Sequence, residues 1–108
     1  MFELAIASAI FAAAFQTAAA DGARTALRTC IKQASVDAKG QKVASGDGFT
    51  TFIRQKCAPQ ETSFKSAIWA FDSKNKVSKK QSESDAELQV EDFVAVAADK
   101  YAADSPPN

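Results

Sequence analysis

The chain has 108 residues with 13 basic and 13 acidic side chains, a formal net charge of zero, two cysteines and no histidine. The balanced charge argues against nucleic acid as a partner, because such binding leaves a basic electrostatic footprint. The missing histidine removes the most common general base near neutral pH, and without a Cys-x-x-Cys spacing there is no pattern for a metal site or for any cofactor.

Residues 2–15 read FELAIASAIFAAAF, an apolar run of signal-peptide length, and Ala18, Ala19 and Ala20 supply the small residues of an A-x-A cleavage site before Asp21. Glu3 departs from the pattern, since it stands where a basic n-region belongs. The leading reading is a signal peptide over 1–20 and a periplasmic or secreted protein with no stable membrane insertion after cleavage. Two others stay open: residues 4–20 retained as a membrane anchor, although the run is short against the ~20 apolar residues of a spanning helix, and an ordinary core helix.

From Asp21 an amphipathic helix is expected, with Ala23, Ala26, Leu27, Cys30, Ile31 and Ala34 on one face. Arg24, Arg28 and Lys32 recur at intervals of four and form a basic ridge on another side. Gly40 is the expected stop, and a loop runs to Gly48.

Asp47 is expected to cap a second helix whose apolar residues are Phe49, Phe52, Ile53 and Cys57. Pro59 marks a break or a new first turn, after which a third helix runs to about Lys74 with Phe64, Ala67, Ile68 and Phe71 inward. Ser78 and Gln81 have capping-box spacing, so a long fourth helix starts near Lys79 and runs to about Ala103. Ala86, Val90, Phe93, Val94, Ala97 and Tyr101 form its inner face, which Leu88, Val96 and Ala98 are expected to widen. Ser105-Pro106-Pro107-Asn108 reads as a disordered tail.

Nothing alternates as strands require, so the fold class is all-α: a small bundle of about four helices over residues 21–104. A core of this size benefits from a staple, and in an exported chain Cys30 and Cys57 are most simply one disulfide. Closing that loop contributes about 3 to 4 kcal/mol in the chain-entropy description. Free thiols, or a metal pair, are the rival readings.

Charge is segregated: residues 21–80 hold 12 basic and 5 acidic residues, residues 81–108 hold 1 and 7. Glu83, Glu87 and Glu91 make an acidic ridge that is expected to pair with Arg24, Arg28 and Lys32 inside one molecule, each exposed pair contributing ~0 to 1 kcal/mol. If a ridge faces outward instead, it meets a partner. Lys74, Lys76, Lys79 and Lys80 cluster at the junction of the third and fourth helices and suit an anionic envelope surface such as lipopolysaccharide or lipid phosphate, or else form a solvated turn. Trp69 falls roughly 100° from Ile68, off the inward face, so either another element covers it or it is a contact residue.

The sequence carries no catalytic constellation, and Ser45-Gly46-Asp47-Gly48 lacks the lysine and spacing of a P-loop. The leading functional reading is a small exported bacterial binding or interaction module whose partner is a protein or an anionic envelope component. The alternatives are a thiol-redox or other envelope enzyme using Cys30 and Cys57, and a membrane-tethered subunit.

Overall fold

A computed structural model describes the backbone of residues 2–104 and the side chains of residues 18–104. The chain is an all-α bundle of α1 (Phe2–Gly40), α2 (Asp47–Lys56), α3 (Ala58–Lys74) and α4 (Lys79–Asp104), with no strand among the described residues. The expected tail at 105–108 and the side chains of residues 1–17, within the expected signal peptide, lie outside the described residues. The backbone of α1 runs without a break through Asp21.

The helix ends follow from local chemistry. α1 stops at Gly40, but the reversal is made two residues later: Lys42 takes a left-handed φ of 57°, its N–H bonds the Lys39 carbonyl and the Val43 N–H reaches the Ala38 carbonyl. This is the hydrogen-bond pattern of a Schellman cap, with lysine where glycine is usual. The same device closes α3, where Lys76 has φ 60° and the Val77 N–H bonds the Asp72 carbonyl.

α2 begins differently from expectation. Gly46, at φ 82°, is the N-cap, and Asp47 is already helical with no side-chain capping bond. Its carboxylate acts on the helix dipole from the first turn instead. α4 is capped as expected by Ser78, whose Oγ accepts the Gln81 N–H at 3.1 Å, but the Gln81 side chain turns to Asp85, leaving half a capping box.

A single residue joins α2 to α3. The Cys57 N–H bonds the Ile53 carbonyl, its carbonyl accepts the Glu61 N–H, and Pro59 sits in the first turn of α3, where no N–H is needed. The side chain of Cys57 stands at disulfide distance from Cys30, with Cα atoms 5.9 Å apart, so this corner is fixed to α1.

The core is built from one stripe of each helix. Leu27, Ile31, Ala34 and Ala38 meet Phe49, Ile53, Cys57 and Phe64, and α4 closes the space with Ala86, Val90, Val94 and Tyr101. Each large apolar side chain buried here contributes roughly 1.5 to 3 kcal/mol. At the closed end Tyr101 stacks on Phe49 with centroids 4.3 Å apart, and its hydroxyl donates to the Val43 carbonyl at 2.5 Å. Three expected inward positions are exposed, Ala26 together with Leu88 and Val96 at 61% and 64%, and others such as Phe52, Ile68 and Phe93 are half-buried.

The ridges do not pair. Arg24 reaches Gln89, Arg28 lies over the Phe93 ring and Tyr101 reaches the Ala38 carbonyl, so α1 and α4 run parallel with partners about 65 positions apart. Gln89 and Phe93 are therefore the α4 residues that meet Arg24 and Arg28, and Glu83 and Glu87 stand on the flank of α4 that faces α3. Glu87 is turned toward α2 and α3, where it binds Arg54 and Lys65, and Arg24 pairs with Asp21. Two chain reversals separate α1 from α4, which makes them parallel rather than the antiparallel neighbours a simple hairpin would give.

Candidate functional site

α3 and α4 are antiparallel, and a groove of about 680 Å³ lies between them on the side away from α1 core residues. On α3, Thr62, Lys65, Ser66 and Trp69 recur at helical spacing and form one wall. The other wall comes from the start of α4, where Lys79, Lys80, Glu83, Ser84 and Glu87 share a face.

Two of the lining residues, Lys65 and Glu87, belong to a four-member charge network. Arg54 donates to Glu61 and to Glu87, each at 2.7 Å, and Lys65 bonds Glu87 while lying 3.5 Å from Glu61. Basic and acidic groups alternate, so each charge has an opposite neighbour. Burial alone would push the Glu87 carboxyl up, but hydrogen bonds from Lys65 and Arg54, together with their charges, outweigh it and hold the group below its ordinary value. Burial likewise opposes the Arg54 charge, and its bonds to Glu87 and Glu61 raise it further above the range where it would titrate. A carboxylate held this firmly ionised is not poised for general acid or base work near neutral pH.

With Lys65 and Glu87 engaged in the network, the groove offers four kinds of group: Trp69 is half-buried and presents its ring, Thr62, Ser66 and Ser84 present exposed hydroxyls, Lys79 and Lys80 present exposed ammonium groups, and Glu83 presents an exposed carboxylate between them, which leaves the lysines in the majority. Lys74 and Lys76 are exposed on the adjoining turn. Such a set suits a polar anionic ligand held by hydroxyl and ammonium donors against an aromatic face.

The other sequence-predicted contact residues are elsewhere. Arg24 is half-buried, pairs with Asp21 at 2.7 Å and lies 5.4 Å from the Phe64 ring centroid, which makes it a packing residue. Arg28 and Lys32 are exposed beside a second groove between α1 and α4. So Trp69, Lys79 and Lys80 come together with Lys74 and Lys76 close by in the chain, while the basic ridge of α1 belongs to a different face.

Sequence reading missed Thr62, Lys65, Ser66, Ser84 and the anchoring role of Arg54. The spacing of Thr62, Lys65, Ser66 and Trp69 at i, i+3, i+4 and i+7 was a usable signal for the α3 wall. Nothing local marked Arg54, whose two partners lie 7 and 33 positions away.

Cys57 is buried and Cys30 half-buried, and the described residues contain no free cysteine and no cluster of three or more His, Cys, Asp or Glu able to hold a metal ion. Among the described residues no helix is long and apolar enough to cross a membrane. No protein-family model matches the chain, and no curated protein or solved structure matches it.

Proposed function

We propose that this chain is a small exported bacterial protein that works by binding, and that its ligand is a phosphate-bearing saccharide component of the envelope held in the α3–α4 groove. The observation that carries the reading is the convergence of Trp69 with Lys79 and Lys80 on one groove lined by hydroxyls. Ammonium groups recognise phosphate as point charges, hydroxyls satisfy sugar oxygens, and an aromatic edge packs against the apolar face of a ring.

The cysteines support binding over thiol chemistry. Cys30 is half-buried, but Cys57 is 1% exposed and its backbone joins two helices, so the pair sits where it staples the α2–α3 corner to α1.

Trp69 is the only tryptophan, so its emission reports on the groove directly. Titration with lipopolysaccharide should shift that emission saturably, zwitterionic phosphatidylcholine vesicles should leave it unchanged, and a Lys79→Glu, Lys80→Glu variant should lose the response with an unaltered melting temperature. Equal responses to both additives, or none to lipopolysaccharide, would overturn the reading.

A further inference from the structure

The groove between the parallel helices α1 and α4 has a volume of about 840 Å³ and is not used by the reading above. Its apolar strip is made by Ile31, Phe93, Val96 and Ala97, with Val96 exposed at 64% and Val36, on the other helix, at 62%. A volume of this size is that of a small-molecule site.

The charges around the strip are unequal. Arg28, Lys32 and Lys39 line the groove from α1 and Lys100 from α4, against the carboxylates of Asp92 and Asp104, so cations are in excess by two. Arg24 meets Gln89 and Arg28 meets Phe93, which sets each α4 residue level with the α1 residue 65 positions earlier. At that register Asp92 stands beside the level of Arg28 and Asp104 at the level of Lys39, one carboxylate toward each end. The excess therefore falls in the middle, on Lys32 and Lys100, one from each wall and about one helical turn apart along the groove. Neither enters an ion pair among the described residues. Arg28 is already laid over the Phe93 ring, 5.7 Å from its centroid, and closes that end of the strip.

Two cations converging from opposite walls call for a single anionic head group. An acidic helix would spread its charges along the groove and bring some of them against Asp92 and Asp104. Packed helices keep their axes about 8 to 10 Å apart, so the strip has room for one hydrocarbon chain and not for the two of a membrane lipid. We propose that the α1–α4 groove binds a free fatty acid, with its carboxylate between Lys32 and Lys100 and its chain on Ala97, Val96 and Phe93. The lysine stems flank the chain with their own methylenes. Chain burial supplies affinity, and the ammonium groups select the sign of the head. From Lys32 back to Thr25 the groove runs about 10 Å, at 1.5 Å per residue, which suits a chain of medium length. The two grooves use different flanks of α4, with Glu83 and Glu87 on one and Phe93, Val96 and Lys100 on the other, so binding here is independent of the α3–α4 site.

Titration of the whole protein with sodium decanoate below its micelle concentration, followed by backbone amide NMR, tests it. Saturable shifts should be confined to residues 25–39 and 92–104, and hexanoate, with a shorter chain to bury, should bind at least tenfold more weakly. Decyltrimethylammonium, with the same chain length and the opposite charge, should also bind at least tenfold more weakly. A Lys32→Glu, Lys100→Glu variant should lose at least tenfold in decanoate affinity, whereas Lys79→Glu, Lys80→Glu should keep it. Circular dichroism confirms that the variants are folded; should the groove variant fail to fold, Val96→Asp at an exposed position replaces it, with the same loss expected. No saturable shift with decanoate would leave the groove to a partner protein's helix, and shifts of the same residues on concentrating the protein alone would give it to a second copy; either result overturns the proposal. Equal binding of the cationic amphiphile, or decanoate affinity unchanged by the groove substitutions, overturns it as well.

Discussion

Arg54 donates to Glu87 across 33 positions of sequence at 2.7 Å, and through that bond α2 is tied to α4 beside the candidate binding groove. The same guanidinium reaches Glu61 on α3, so one side chain fixes the relative positions of three helices. The Arg54 and Glu87 side chains keep about a third of their surface in water, at 31% and 33%, and solvent screening limits what the pair contributes.

Glu87→Gln should therefore lower stability by about 1 kcal/mol, the upper end for a partly exposed pair, measured by urea denaturation near neutral pH. The folded state holds the Glu87 carboxyl below its ordinary value of 4.5, so its contribution is fully present above that value and is lost as the pH falls through the lower folded value. The wild type and the Gln variant should converge in stability under strongly acidic conditions. A difference that persists unchanged at low pH would show that Glu87 acts by packing and not by charge.

The Cys30–Cys57 pair closes a sequence separation of 27 residues, which corresponds to about 3.5 kcal/mol of unfolded-state entropy. Substituting either cysteine by serine should cost about 3 kcal/mol and leave ligand binding at Trp69 intact in the fraction that remains folded. Melting curves with and without reductant check this. A variant that keeps its melting temperature but loses its activity would assign the pair a chemical role.

Lys42 and Lys76 hold left-handed conformations that cost an L-residue roughly 1 to 2 kcal/mol, while glycine gives back about 0.5 to 1 kcal/mol through its freer unfolded chain. Lys42→Gly and Lys76→Gly should each raise stability by about 0.5 to 1 kcal/mol. Only Lys76→Gly should also weaken lipopolysaccharide binding, because Lys76 lies on the turn that leads into Lys79 and Lys80, whereas Lys42 lies on the turn after α1. Equal effects of both substitutions on binding would detach Lys76 from the site.

The fold was largely legible from periodicity. Leu27, Ile31 and Ala34, Phe49 and Ile53, and Val90, Val94 and Tyr101 are buried where apolar spacing places them, and Gly40, Pro59, Asn75 and Ser78 mark the helix ends. What sequence does not encode locally is which flank of a helix meets which neighbour. The ridge pairing fails because α4 turns Gln89 and Phe93 toward α1, against Arg24 and Arg28, which leaves Glu87 on the flank that faces Arg54 and Lys65. Trp69 was visible as an anomaly on the wrong side of α3, but its company on the groove depends on the antiparallel return of α4.

The proposed processing after Ala20 would carry a structural condition. α1 is continuous across Ala18, Ala19 and Ala20, and Ala20 is 6% exposed, whereas proteolysis favours exposed, irregular backbone. Cleavage should therefore precede folding: intact-mass measurement should find exported protein beginning at or near Asp21, and purified full-length protein, once folded, should resist the signal peptidase that cuts it in denaturant. Asp21 would then lie at the new helix start, where a carboxylate is favoured. Full-length protein recovered from the membrane fraction would favour a retained anchor.

Backbone amide shifts recorded by NMR during titration with lipopolysaccharide test the central claim most directly, because they locate the contact without relying on Trp69. The account predicts saturable shifts concentrated in residues 62–69 and 74–87, lost in the Lys79→Glu, Lys80→Glu variant. Shifts concentrated on α1 around Arg28 and Lys32, or no saturable shifts at all, would contradict it.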